Sequence, residues 1–373
     1  MSELADPAVA PAAAAQDQTD TGALRRLLER ARWAPSGDNE QPWRFELLGG
    51  DRIRVHVQYT PGTNIYEFAD GRPTWIAIGC LLESLRLAAS QEGRGCRWEA
   101  VDQDARIIEV DVSRDASVRP DPLAEQIERR SVDRRAYRRT ALTSEQKAAI
   151  EAAAGPAFRF QWYESVQEKF AASRLAARAT WIRLRIPECH QVHAKVLRFD
   201  DAMTPFGLPV QATGVNAMLH PALRWATKTW PRSRLMNRWL GGALLASAEI
   251  DYWAGLNAAA HFVALWRADH ADRPRTDWIL AGIAKQRVWL TITALGLAYQ
   301  PAWAPVIFSH WAETRDHRWQ LPATQAEGQA LSAALRRVYA AGPDDVVFLG
   351  RTGQPKRPLT SRSTRLPLDQ LMA

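Results

Sequence analysis

Cysteine is scarce in this chain. Cys80, Cys96 and Cys189 are the only 3 among 373 residues, they lie far apart, and no CxxC pair occurs. That excludes a disulfide framework and fits a reducing compartment, so a cytoplasmic location is expected. Long apolar runs are missing as well. The longest uncharged apolar stretch, Tyr252 to Trp266, includes Asn257 and His261 and is too short for a span, so no transmembrane helix is expected. Residues 1–22 are rich in Ala, carry acid and lack a basic stretch followed by an apolar one. They read as a disordered lead-in rather than a secretion signal. No G-x-G-x-x-G loop, Walker A sequence or Ser-His-Asp order occurs, and acid is absent from Ala202 to Ala248.

What is present suits a globular protein: 46% of residues are hydrophobic, enough for one large core or two medium ones. The net charge of +7 favours anionic partners without locating them. Two basic regions do. Arg129, Arg130, Arg134, Arg135, Arg138 and Arg139 form one, and Arg224, Lys228, Arg232, Arg234 and Arg238 lie in the acid-free segment.

An internal echo organises the chain. Thr74-Trp75-Ile76-Ala77-Ile78-Gly79 returns as Asp277-Trp278-Ile279-Leu280-Ala281-Gly282, and the match runs on without a gap to Gly93 and Gly296. Each copy reads W-I-x-x-G, an apolar helix, then a glycine where the helix should stop. Around the copies, 23–34 has helical spacing, 43–58 reads as a hairpin about Gly49-Gly50, and 107–113 as a strand. Residues 143–154 open on the cap Thr143, 156–164 and 260–267 read as strands, and 165 to about 200 as one helical region. The pattern predicts an α+β sandwich of helices on mostly antiparallel sheets, built from two fused halves, 23–122 and 123–373.

The most informative string is Ala31-Arg32-Trp33-Ala34-Pro35-Ser36-Gly37-Asp38-Asn39-Glu40-Gln41-Pro42-Trp43. A helix stops at Pro35, a turn of small and polar residues follows, and Pro42 stiffens the exit. An ordinary capped turn has this composition. So does a turn that offers hydrogen-bonding groups to the polar edge of a flat heteroaromatic ring.

This string resembles the flavin-side motif A-P-S-x-x-N-x-Q-P-W of the nitroreductase superfamily, and Arg129-Arg130-Ser131-Val132-Asp133-Arg134-Arg135 resembles its phosphate element. Guanidinium forks and a serine hydroxyl suit a phosphate monoester. Asp133 departs from the pattern, which leaves the register open by one residue, with Arg134 taking over the missing base. Leu349-Gly350-Arg351 and Ser361 to Leu368 look like the C-terminal arm, 349–373, whose basic residues reach the phosphate. The turn precedes the phosphate element, as in the tandem branch that includes Acg-type and MoeY-like proteins.

The resemblance implies an intramolecular pseudo-dimer with one composite FMN site: Pro35, Ser36, Gly37 and Asn39 from the first half, with Arg129, Arg130, Ser131 and Arg134 from the second and Arg362 or Arg365 from the arm. The chemistry it implies is hydride transfer between flavin and a planar or unsaturated small-molecule substrate, with NAD(P)H or the substrate itself as donor. A flavin-sequestering protein and a BluB-like flavin-cleaving enzyme are the alternatives. The chain would be a monomeric pseudo-dimer or a homodimer. Segment 202–248 reads as a lid or substrate-facing insertion, with Gly207-Leu208-Pro209 near its start. Its Trp225, Trp230 and Trp239 among five bases also fit a nucleic-acid or membrane surface, although no nucleic-acid partner is expected. Cys189, His190 and His193 share a helical face but lack partners to complete a tetrahedron, so no metal is expected.

Overall fold

The computed structural model describes residues 21–267, 273–314 and 322–373, so the first twenty residues of the lead-in lie outside the described part. Residues 21 and 22, placed in that lead-in by the sequence reading, already belong to the first helix, α1, residues 21–31. The order continues β1 (Trp43–Leu47), β2 (Arg52–Val57), α2 (Arg72–Ser90), β3 (Arg97–Ala100), β4 (Ile107–Asp111), α3 (Ser144–Ala154), β5 (Phe158–Tyr163) and α4 (Val166–Arg183). Next come α5 (Pro187–Val196), β6 (Leu197–Arg198), β7 (Met203–Thr204), β8 (Leu208–Pro209), α6 (His220–Thr227), α7 (Trp230–Trp239) and α8 (Gly242–Ser247). A π-helical turn, Ala248–Trp253, leads through α9 (Ala254–Leu256) to β9 (Ala260–Trp266), α10 (Arg275–Ala294), β10 (Ala298–Pro301), α11 (Ala304–Thr314), α12 (Pro322–Tyr339), β11 (Val346–Gly353) and β12 (Arg362–Ser363). The single helical region expected from 165 to 200 is two helices. Ile186 is extended and Pro187 opens α5, because the residue before a proline is driven out of the helical basin.

The architecture is α+β, with two four-stranded antiparallel sheets ordered β1-β2-β4-β3 and β10-β11-β9-β5. Phe45, Ile53, Val55, Ile108 and Val110 of the first sheet join Phe262, Ala264 and Phe348 of the second in one core with α2 and α10. The outer face of the first sheet is polar: Arg54 donates to Glu109 at 2.7 Å, and Glu46 lies 2.9 Å from His56. This one-sided sheet explains the alternating pattern of 43–57. The second sheet is covered twice. Val263, Leu265, Val346 and Leu349 enter a second core with α4, α5, α11 and α12, which is why 260–266 reads as unbroken apolar sequence.

Leu349, Gly350 and Arg351, assigned to the arm by the sequence reading, lie inside β11, paired on both sides. The arm begins only after Gly353. It crosses to the first sheet, where Phe45 bridges Met372, its N–H donating to the Leu371 carbonyl at 2.8 Å. In the reverse direction Val132, beyond the first sheet, bridges Tyr299 at the edge of the second. Each sheet is thus extended by a segment that follows the other.

The two echo helices cross at their glycines. A Cβ on Gly79 would stand 1.9 Å from the Ile279 carbonyl oxygen, and one on Gly282 would stand 2.1 Å from that of Ile76. Other contacts exchange in the same way: Arg72 lies over Trp278 at 4.1 Å and Arg275 over Trp75 at 4.8 Å. Gln286 donates to Ser84 at 2.9 Å, and Arg287 to Glu83 at 2.8 Å. Gly93 and Gly296 take left-handed angles just past the helix ends (φ 63° and 70°), as helix stops require.

Candidate functional site

The turn after α1 is held against its own backbone preferences. Asp38, Asn39 and Gln41 all take left-handed angles (φ 48°, 59° and 53°). Such angles are strained for residues other than glycine, least so for Asn and Asp, and persist where surroundings over-determine them. Here the surroundings are explicit. The Ser36 hydroxyl accepts the Gln41 N–H at 2.9 Å, and the Gln41 side chain donates to Pro205 O at 2.9 Å and accepts the Leu366 N–H at 2.9 Å. Asn39 Nδ2 donates to the carbonyls of Pro205 (3.0 Å) and Thr364 (3.1 Å), while its Oδ1 is buried without a hydrogen-bond partner.

Segment 202–207 is therefore a strap across the turn. It is fastened to the arm as well: β7 pairs with β12 in parallel, and the Ser363 hydroxyl donates to Gly207 O at 2.7 Å. A small cavity of about 30 Å³ lies beside Val132 to Arg135, Ala212 and Ser361. Residues 202–207, the first part of the segment read as a lid or insertion, lie across the turn. The rest of 202–248 is the helical surface of α6, α7 and α8.

Three guanidiniums gather behind the turn. Arg130 donates to Trp33 O at 2.9 Å and Arg365 to the same carbonyl at 3.1 Å, while Arg362 donates to Arg130 O at 3.2 Å. Arg365 also donates to Ala34 O at 2.9 Å. Among the described residues, no carboxylate lies within ion-pairing distance of these three, and Nε of both Arg130 and Arg362 is buried without a partner. Burial, with Arg362 nearby, pushes Arg130 down to about 9, and burial with Arg130, Arg362 and Arg32 holds Arg365 well below its ordinary value. Arg130 and Arg365 are buried and Arg362 is half-buried with the Glu128 charge nearby, and cations held this way without a carboxylate contact are costly.

The other expected phosphate residues fall elsewhere. Arg129 is exposed to solvent. The Ser131 hydroxyl has only a 3.5 Å contact, to Val132 O. Arg134 donates to Ala212 O at 3.0 Å and faces Asp38 and Arg183 rather than the three-arginine cluster. Asp133 is neutralised by Arg135 at 2.8 Å, which settles where its charge goes. Pro35, Ser36 and Gly37 lie in the turn, with the Glu67 carboxylate 3.9 Å from where a Gly37 Cβ would be.

A second polar group adjoins the turn, and the sequence reading named only part of it. Burial and Glu40 raise Asp38 to about 6, against the opposing pull of Arg134, Arg183 and Lys195. Burial raises Glu67 to about 8, although the Thr74 hydroxyl donates to it at 2.9 Å. Tyr66 Oη lies 2.8 Å from Nε2 of His193, whose burial drives it down to about 3 and keeps it neutral as an acceptor. Cys189 is buried beside Tyr66. Nothing in the spacing of Asp38, Glu67 and Arg183 announces the cluster, since the three come from a turn, a loop and the end of α4.

No family model matches the chain, and no curated protein matches it. Solved structures similar to it include the FMN-dependent nitroreductase NfnB of Mycobacterium smegmatis in complex with NADPH, 14% identical over 66% of this chain and 96% of that one, with a TM-score of 0.35. The FMN and NADPH-dependent nitroreductase NfnB of a Sphigopyxis strain is 18% identical over 67% and 97%, with a TM-score of 0.36. A BluB-like flavoprotein from Clostridium difficile 630 is 12% identical over 68% and 98%, with a TM-score of 0.35.

Proposed function

We propose that the chain is an FMN-dependent oxidoreductase that passes hydride between flavin and a planar or unsaturated organic substrate, with NAD(P)H as a donor. The observation that carries this reading is the cluster of Arg130, Arg362 and Arg365, set against the turn whose sequence resembles the flavin motif. The residues fit such a group. The partnerless Nε atoms of Arg130 and Arg362 suit its phosphate, and the orphaned Asn39 Oδ1 suits a ring N–H. When bound, FMN supplies hydride acceptance and donation at its N5.

The protein's part is position, water exclusion and a proton. Trp33 shields the arginines, with Arg362 over its ring at 5.1 Å. The strap covers the turn. The Asp38 carboxyl, raised to about 6, exchanges a proton near neutral pH beside the substrate side of the turn. We further propose that the halves 23–122 and 123–373 descend from one unit and act as a fused pseudo-dimer with one complete site, a reading supported by the exchanged contacts of α2 and α10.

One observation favours a second reading, a flavin-holding protein without turnover: the strap is fastened by six hydrogen bonds to turn and arm, those of Asn39, Gln41, Ser361, Arg362, Ser363 and Thr364. Titrating the apoprotein with FMN and then mixing the complex anaerobically with NADPH separates the two. Oxidoreductase activity predicts quenched flavin fluorescence on binding, then loss of the yellow colour. Binding without bleaching by NADPH or by any reduced substrate supports the holding protein, and a chain that takes up no FMN sinks both.

A further inference from the structure

Helices α7 and α8 are amphipathic the wrong way round. On α7 the buried residues are Ser233 and Asn237, while Leu235 and Trp239 face solvent; on α8 Ala243 and Ser247 are buried and Leu244 and Leu245 exposed. Asn237 is fixed inward by donating to Leu184 O at 2.6 Å and to the Ser233 hydroxyl at 3.2 Å. A helix that docks on its own protein normally does the opposite. Of the 15 large apolar side chains exposed among the described residues, 9 fall between Met218 and Trp253, with Trp239 72% and Met218 83% exposed. Such a concentration marks an interaction surface.

The charge around this surface is mainly basic, with Glu249 as the acid at its groove. Arg224 pairs with Asp200, but Lys228, Arg234 and Arg238 are exposed without an ion-pair partner among the described residues. Arg232 lies over Trp225 at 5.4 Å and Arg238 over Trp239 at 5.7 Å, so stems and rings form one apolar layer rimmed by cationic heads. A groove of about 420 Å³ opens between Met218, Leu219, Leu245, Glu249 and Trp253.

We propose that this face docks on an anionic lipid bilayer. The leucines, Met218 and tryptophans enter the interface while the arginines and Lys228 meet lipid phosphates, the arrangement of an interfacial helix with basic flanks. A second copy of the chain fits worse, because a two-fold contact through this face sets the bases of 224–238 against one another and Glu249 in the groove answers only part of that charge. Nucleic acid fits worse too, since phosphates and bases offer nothing to Leu240, Leu244 and Leu245. The attachment is peripheral: among the described residues no helix is long and apolar enough to cross a membrane.

The test is co-sedimentation of the full chain with vesicles of phosphatidylcholine alone or with a third phosphatidylglycerol, read together with tryptophan emission. Docking predicts on the order of a hundredfold tighter partition onto the anionic vesicles, a blue-shifted emission, and weakening as salt rises. The triple variant Trp239→Ser, Leu240→Ser, Leu244→Ser should lose partition while keeping its circular dichroism and melting midpoint, because all three side chains point to solvent. Arg234→Glu with Arg238→Glu, a milder surface change, should abolish the anionic preference. Equal or absent binding to both vesicle types overturns the proposal, as does a concentration-dependent dimer of the wild-type chain that the triple variant dissolves. Neither outcome touches the flavin reading.

Discussion

Gly79 and Gly282 face each other where α2 and α10 cross, each so close to the other helix that a Cβ would fall within 2.1 Å of a carbonyl oxygen there. The contact is reciprocal: Gly79 meets Ile279, and Gly282 meets Ile76. Two helices can approach this closely only where both lack side chains, and the sequence echo places glycine at the same step of each.

Substituting either glycine with alanine should therefore force the helices apart. We expect Gly79→Ala and Gly282→Ala each to cost at least about 1 to 3 kcal/mol, by overpacking a buried crossing, and to do so by similar amounts. Urea unfolding of both variants checks this. A cost at one site alone would break the symmetry of the crossing.

Arg130 should show opposite effects on stability and on binding. Replacing it by methionine removes a buried charge that has no carboxylate partner, so the apoprotein should gain about 1 to 4 kcal/mol or stay level. The same change should weaken FMN binding by about 1.5 to 3 kcal/mol through loss of a charge-assisted bond. Thermal midpoints with and without FMN read both signs at once. Arg129→Met, at an exposed position, should change neither.

Glu67 makes stability depend on pH. Its carboxyl is raised from 4.5 to about 8 by burial first, so the folded state binds this proton more tightly than the unfolded chain. The stabilisation is full below about 4.5 and is lost as pH rises through about 8. Glu67→Gln keeps a neutral side chain at every pH. Its melting midpoint should fall less than that of the wild type between pH 5 and 8.5, and parallel curves would contradict the assignment.

The arm should hold the turn at a distance. Leu371 is fully buried, and its carbonyl accepts the Phe45 N–H. Leu371→Ala should cost about 2 to 5 kcal/mol, while truncation after Gly353 should also free Asn39 and Gln41, loosening the strap. Limited proteolysis near Pro205 would then be faster in the truncated chain than in Leu371→Ala.

Much of the frame was legible in the residues. The W-I-x-x-G echo marked the two central helices, period-two alternation marked the half-buried first sheet, and the unbroken apolar run 260–266 marked a strand buried on both faces. Legibility failed where tertiary contact outranked local pattern. Leu349 to Arg351 read as tail because basic residues follow them, yet β11 takes them into the middle of a sheet. The Arg129 to Arg135 run read as one grip, but a turn at 127–129 followed by irregular backbone sends the side chains apart, so Arg130 is buried, Arg134 meets Asp38 and Arg129 meets water.

By itself, then, the sequence determined the two echo helices, strands of the first sheet and a turn after Pro35, because these depend on proline, glycine and short-range periodicity. Only the tertiary structure decided which charges stand together. It joined Arg130 to Arg362 and Arg365 across more than two hundred residues, placed Glu67 and Arg183 beside Asp38, and turned the apolar sides of α7 and α8 outward. Long-range charge and burial are properties of packed surfaces, and no spacing along one chain encodes them directly.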